Sequence, residues 1–158
     1  MSSMYSVALL LHSWLRWAVL LLVLVAALRA ISGSLGRRVW TPADRRANML
    51  ATISLDVQTL VGSLLYLLLS PITTGSFSDM GAAMRVSGVR FWVVEHPFVM
   101  FLALVVAHVG NVVARTGATD TARHRRGAIL FVLVLLLVLM GTPWPGMANG
   151  RPLFSFGF

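Results

Sequence analysis

The sequence predicts an all-α integral membrane protein that folds as a four-helix up-down-up-down bundle. Hydrophobic residues make up 58% of the 158 residues and charged residues only 11%, whereas soluble domains average about 45–50% and about 25%. So few charges cannot cover the surface of a soluble globule of this size. The chain also contains four apolar stretches, each close to the ~20 residues that a helix needs to cross a bilayer. Short connections between them place consecutive helices antiparallel.

The four stretches belong to one transmembrane domain that covers residues 1–158. Backbone polar groups in lipid have to be hydrogen-bonded within their own segment, so each stretch is predicted to be a helix rather than an open strand. The helices are predicted at about residues 9–30, 50–69, 91–114 and 127–142. The fourth helix carries no charge or imidazole and is expected to be a lipid-facing wall. Residues 143–158 contain proline-bounded turns and aromatic side chains, which predicts a tail along the outer interface.

The charged residues indicate how the bundle is oriented. All 13 basic residues are arginines, against 5 acidic residues, and a soluble protein of that balance would suggest nucleic-acid binding. Here nine arginines fall at the two connections between helices one and two and between helices three and four: Arg29, Arg37, Arg38, Arg45, Arg46, Arg115, Arg123, Arg125 and Arg126. The positive-inside rule therefore predicts cytoplasmic connections and both termini outside. The expected partner of these arginines is membrane lipid, not nucleic acid.

Polar side chains inside membrane segments are costly, so each one is a candidate for function. The second helix carries a stripe of them at helical spacing, predicted to face the bundle interior: Thr52, Asp56, Thr59, Ser63 and Tyr66. The stripe fits interhelical hydrogen bonding with close packing at Gly62, and it equally fits the polar lining of a cofactor or proton site. Because helices two and three are antiparallel neighbours, Asp56 is expected at the depth of His108. The two residues are predicted to form a buried pair or a proton relay.

Two histidines near the outer ends of helices one and three predict a cofactor site. His12 and His96 each fall within the first one or two turns of helices that run in the same direction and can lie diagonally across the core. Two imidazoles at matching depth can hold a planar b-type haem between them. The same cluster, with Tyr66 as a further donor, also suits a quinone head group.

Charged residues at the same level extend this predicted site. Arg16 and Arg90 are expected to bind the haem propionates, with Arg85 as a further candidate. Glu95 is expected to orient an imidazole or to pair with Arg16. The chain contains no cysteine, which excludes disulfides, thiolate metal sites, iron–sulfur clusters and covalently attached haem.

The chain resembles a family of small four-helix bacterial membrane proteins, mostly uncharacterised, that are often labelled cytochrome b-like. The similar segments are LHSWLRW at 11–17, QTLVGSLLYLLLSP at 58–71, RFWVVEHPFVM at 90–100 and PWP at 143–145. The resemblance implies a bacterial inner-membrane protein with non-covalent haem b, and it covers His12, the Gln58–Gly62–Tyr66 run, Glu95 and His96. Members of the family tend to carry a histidine two residues before the glutamine, where this chain has Asp56. If that histidine is a haem ligand, this chain lacks it. His108 does not match a family position.

Three functions follow as expectations. The first is a b-type cytochrome-like electron-transfer protein or subunit with its site near the outer face. The second is a non-catalytic accessory subunit of a larger membrane complex or homo-oligomer, without its own haem. The third is a small proton or solute carrier that uses Asp56 and His108. The sequence shows no activated serine or cysteine arrangement, no carboxylate metal cluster and no phosphate-binding glycine loop, so a stand-alone hydrolytic enzyme is not predicted.

Overall fold

The computed structural model describes residues 3–154, and 82% of these residues are helical with no strand among them. Four helical segments in this range are long and apolar enough to cross a membrane: Ser3–Leu35, Pro42–Leu69, Ser87–Arg115 and Asp120–Gly141. The individual helices are α1 (Ser3–Leu35), α2 (Pro42–Leu64), α3 (Pro71–Ser76), α4 (Met80–Arg85), α5 (Ser87–Arg90), α6 (His96–Arg115) and α7 (Asp120–Gly141). A π-helical turn, Leu65–Leu69, extends α2, and a second one, Phe91–Glu95, joins α5 to α6. The predicted all-helical fold with four helices of membrane-spanning length is therefore confirmed.

The helices extend beyond the apolar stretches because polar residues cap them. α2 begins at Pro42 rather than near residue 50, since Thr41 and Asp44 form a capping box at its first turn. α7 begins at Asp120 rather than near residue 127, since the Thr119 side chain accepts a hydrogen bond from the Ala122 N–H. Hydropathy alone does not predict the first turns of α2 and α7 as helical, because these turns contain arginines.

Each long helix packs mainly against two others: α1 and α6 each contact α2 and α7. Small residues allow the close approach. A Cβ on Gly127 of α7 would lie 3.3 Å from the Ala30 Cβ of α1 and 3.6 Å from the Ala114 Cβ of α6. Phe131 of α7 is fully buried between the same neighbours. α7 therefore packs one face into the core, while the apolar residues of its opposite face, Ile129, Leu133, Leu136 and Met140, are exposed.

The two π-helical turns arise where prolines interrupt the helices. Pro97 has no N–H to donate to the carbonyl four residues earlier, that of Val93, and the Tyr66 hydroxyl donates to this carbonyl instead at 2.9 Å. In the other turn, the Ser70 N–H donates five residues back to Leu65. The carbonyl of Tyr66 then accepts from the Thr73 hydroxyl at 2.7 Å. The Tyr66 hydroxyl thus ties one π turn to the other.

One end of the bundle, where α1 begins, is covered by two segments. The first is α3–α5, whose Phe77 ring packs edge-on against Tyr66 at 5.6 Å. The second is the tail after α7. The carbonyl of Leu153 accepts hydrogen bonds from Arg16 Nη2 at 2.8 Å and from Trp17 Nε1 at 3.1 Å, and Phe154 stacks on Trp17. The last four residues of the predicted tail, 155–158, lie outside the described residues.

Candidate functional site

A cavity of about 380 Å³ lies beneath the covered end of the bundle. Residues of α1, α2, α6 and α7, of both π turns and of the tail line it. Its volume falls within the range of about 300–1,000 Å³ that is typical of ligand sites. Of the residues that the sequence predicts for a cofactor site, His12, Arg16, Tyr66 and His96 lie in its walls.

The structure brings His12 and His96 together from helices α1 and α6, which stand diagonally across the bundle. Their ring centres are 6.2 Å apart and their planes are inclined by 74°. His96 Nδ1 lies 2.8 Å from the carbonyl oxygen of Gly141. Because a carbonyl can only accept, Nδ1 carries the hydrogen and Nε2 is left with a free lone pair. A carbonyl partner of this kind commonly orients histidines that bind a metal.

Gln58 and Gly62 place the His12 ring from the side of α2. The Gln58 amide donates to the His12 carbonyl oxygen at 3.0 Å and lies 3.4 Å from His12 Nε2. The second distance exceeds the usual ~2.9–3.0 Å, so Nε2 is only weakly held. A Cβ on Gly62 would lie 3.0 Å from His12 Cε1, which explains why a residue without a side chain stands there.

Three buried polar atoms of the cavity residues have no hydrogen-bond partner within the described part of the chain. They are His12 Nδ1, Arg16 Nε and Gln58 Oε1. A buried polar atom without a partner costs about 1–3 kcal/mol, and native proteins carry few of them. The other three such atoms of the described residues, on Asn48 and His124, lie outside the cavity walls. A ligand or a water molecule in the cavity would give the first three the partners that they lack.

The cations of the cavity are Arg16 and Arg151. Arg16 is 9% exposed, and its hydrogen-bond partner in the structure is the tail carbonyl of Leu153, not Glu95 as predicted. Arg151, which belongs to the predicted outer tail 143–158, lines the cavity with its guanidinium 4.8 Å from the centre of the Trp92 ring. No sequence signal identifies it, because the tail folds back to bring it there.

Arg90 and Glu95 do not line the cavity. Their side chains form an ion pair with 2.6 Å between Arg90 Nε and Glu95 Oε1, and both are more than 40% exposed. The two residues are five apart, so the π turn between them aligns their side chains on one face. Arg90 is therefore not placed to bind a propionate, and Glu95 reaches neither histidine. Arg85 is also exposed and outside the cavity walls.

Asp56 and His108 meet across α2 and α6, with 2.9 Å between Asp56 Oδ1 and His108 Nε2. Their side chains are 39% and 55% exposed, so the pair lies on the surface of the bundle and is not buried as expected. The polar stripe of α2 lies on the side that faces α6, since Thr52 approaches the carbonyl of Ala107 and the Tyr66 hydroxyl reaches that of Val93. Three of its members, Thr59, Ser63 and Tyr66, line the cavity, as expected for the polar lining of a site.

A buried histidine at the other end of the bundle was missed by sequence reasoning. His124 is fully buried, and its ring packs against Gly33 and, at 4.9 Å, against Trp40. It stands among arginines in the sequence, just before the apolar stretch 127–142 that was predicted as the fourth helix. Its spacing to Gly127 and Phe131 is helical and places all three on the packed face of α7.

Among the described residues, no three His, Cys, Asp or Glu side chains are grouped to hold a metal ion by themselves. The two facing imidazoles could supply two ligands, so the remaining ligands of a metal would come from another molecule, such as a macrocycle or water. A scan against protein-family models found no match, and searches of the curated proteins and of the solved structures found none either.

Proposed function

We propose that this chain is a multi-pass protein of the bacterial inner membrane that binds haem b between His12 and His96 and transfers electrons near the outer face. Its chemistry is that of a small b-type cytochrome or cytochrome-like subunit. Four helical segments of membrane-spanning length and apolar composition support the membrane location. The partners expected with it are membrane lipid and a larger membrane complex or a second copy of the chain.

The contacts between helices support an up-down-up-down arrangement. His12, near the start of α1, meets Gln58, near the end of α2. His96, at the start of α6, meets Gly141, at the end of α7. The nine arginines, which lie in the connection between α1 and α2 and in the adjoining ends of α1, α2, α6 and α7, are then at the end of the bundle opposite the cavity. The positive-inside rule places that end in the cytoplasm and the cavity near the outer face.

The observation that carries the proposal is the pair of facing imidazoles inside the cavity. The 6.2 Å between their centres leaves room for one metal ion bonded to a nitrogen of each ring at about 2 Å. His96 already has Nε2 free, and Gly62 allows the His12 ring to pack closely against α2. Haem supplies reversible one-electron transfer when it is bound. Arg16 and Arg151 are the cations placed to hold its propionates.

An absorption spectrum of the purified, dithionite-reduced protein, produced with haem available, tests the proposal. We expect a Soret band and an α band, and we expect both to be lost in His12→Ala and in His96→Ala. His108→Ala is the matched control, since His108 lies outside the cavity walls, and it should keep both bands. A folded wild-type protein without either band would refute haem binding.

The three unpartnered polar atoms also favour a quinone as a second candidate ligand. Quinone oxygens can accept from Arg16 Nε, and hydroquinone hydroxyls can donate to Gln58 Oε1. Solvent extraction of the same preparation, followed by mass spectrometry, would detect a quinone at about one per chain. A colourless, quinone-free protein that purifies with larger membrane partners would instead support an accessory subunit. If the protein carries a proton flux across liposome membranes and Asp56→Asn abolishes this flux, the result would support a carrier.

A further inference from the structure

The cavity is closed on most sides. The covered end is sealed by α3–α5 and by the tail, which Arg16 and Trp17 hold through the carbonyl of Leu153. The α7 side is sealed by close packing, since even a Cβ on Gly141 would collide with Met100 and Val99 of α6. The wall residues contributed by α1 and α7 are buried or half-buried.

The exposed residues of the cavity wall all lie on one side of the bundle. Among the described lining residues, three are exposed: Ser63, Leu67 and Phe101. Ser63 and Leu67 belong to α2 and its π turn, and Phe101 belongs to α6. Leu67 and Phe101 are 58% and 60% exposed. The cavity therefore opens sideways between α2 and α6.

Two side-chain contacts frame this opening. The bond from the Tyr66 hydroxyl to the carbonyl of Val93 closes it towards the covered end, and the pair of Asp56 with His108 closes it towards the other end. Asp56 and Tyr66 are ten residues apart, which corresponds to about 15 Å along a helix. No hydrogen bond joins the two helices between these contacts in the described structure. We call this opening, lined by Ser63, Leu67 and Phe101, the lateral window.

We propose that the ligand of the cavity enters through the lateral window from the lipid bilayer, and is therefore a lipid-soluble ring compound with a polar end, as haem is. This inference rests on the proposed membrane location. In the proposed location, the window between α2 and α6 faces the hydrocarbon core of the bilayer. A ligand dissolved in water therefore has no route through it. Inside the cavity, the polar end of the ligand would meet Arg16 and Arg151, while its apolar edge would remain at the window.

Closing the window with a bulky side chain tests the route. Ser63→Trp places an indole in the opening, whereas Leu60→Trp adds the same indole on the same helix at a residue that is 70% exposed and does not line the cavity. Apo-protein in liposomes would be mixed with vesicles that contain haemin, and the appearance of the Soret band would be followed. We expect Ser63→Trp to slow loading severalfold and Leu60→Trp to load like the wild type. Phe101→Ala, which widens the window, should load faster.

A second measurement does not depend on haem. Phenyl-diazirine dissolved in the bilayer labels protein that it can reach, and mass spectrometry locates the label. We expect label on Val138, which lines the cavity from α7 and is only 2% exposed. Ser63→Trp should reduce the amount of label on Val138 severalfold, while the amount on the exposed Leu133 of α7 stays constant.

The two measurements separate the proposals. If Val138 is labelled, Ser63→Trp blocks this label, and the protein takes up no haemin, then haem binding is refuted and the lateral window is retained. A wild-type Val138 without label, or equal haem loading in wild type and folded Ser63→Trp, would overturn the window and leave haem binding standing.

Discussion

The ion pair of Arg29 and Asp44 should respond asymmetrically to the loss of either partner. The Asp44 carboxylate accepts two hydrogen bonds from the Arg29 guanidinium, at 2.8 and 3.0 Å, and two from the backbone N–H and hydroxyl of Thr41. The Asp44 side chain is only 2% exposed, whereas that of Arg29 is 34% exposed. The arginine can therefore turn to water when it loses its partner, but the carboxylate cannot.

These exposures determine the expected free energies of unfolding. Arg29→Met keeps the apolar stem but leaves a buried carboxylate without its cation, which costs about 3–5 kcal/mol. Asp44→Ala removes the helix cap, at about 1 kcal/mol, and a pair whose cation is partly solvated, at about 0–1 kcal/mol. The double variant should cost about as much as Asp44→Ala alone, since no charge is then left buried.

Thermal unfolding of the three variants in one detergent measures these differences. For a chain of this size, 1 kcal/mol corresponds to about 2–4 °C in Tm. We therefore expect Arg29→Met to lower the Tm by about 6–20 °C, and Asp44→Ala and the double variant by about 2–8 °C. An Asp44→Ala variant that is less stable than Arg29→Met, or a double variant whose loss is the sum of the single losses, would refute the reasoning.

Three further variants test other contacts by the same Tm measurement. Tyr66→Phe should cost about 1–3 kcal/mol, because it strands the carbonyl of Val93; an unchanged Tm would show that this carbonyl has another partner. Gly33→Ala should cost about 1–3 kcal/mol, because its Cβ would overlap the ring of His124. Much of that loss should be recovered by adding His124→Ala, and no recovery would mean that another neighbour is overpacked. Asp56→Asn should change stability by no more than about 1 kcal/mol, because the new amide oxygen can still accept a hydrogen bond from His108; a large loss would show that the negative charge itself is needed.

The number and type of the long helices follow from the sequence because hydrocarbon thickness sets a minimum apolar length. The starts of the helices do not follow from hydropathy, as Pro42 and Asp120 show. A helix begins next to the residue that caps its first turn, whether or not that turn is apolar. Thr41 with Asp44 three residues later is the spacing of a capping box. That signal was available in the sequence and would have moved the predicted start of α2 to its observed position.

The histidine pair could be predicted for a different reason. His12 and His96 each lie near the start of a helix, and the two helices are parallel, so both residues lie at the same depth in the bundle. This depth can be predicted without knowing the side-chain conformations. Arg90 and Glu95 could not be placed in the same way, because they flank a π turn that shifts every later side chain by about one residue. Arg151 depends on the path of the tail, which no periodic pattern describes.

The prolines that follow the two π turns relate the backbone of α2 and α6 to the lateral window. Pro97 removes one backbone donor, and the carbonyl that it leaves unpaired is taken by Tyr66 from the neighbouring helix. That bond holds α2 and α6 together at one level, while the Asp56 pair holds them about 15 Å away along the helix. Between these two contacts, no hydrogen bond joins α2 to α6 within the described residues. The lateral window is thus a consequence of where the backbone is tied, and removal of the Tyr66 hydroxyl should widen it.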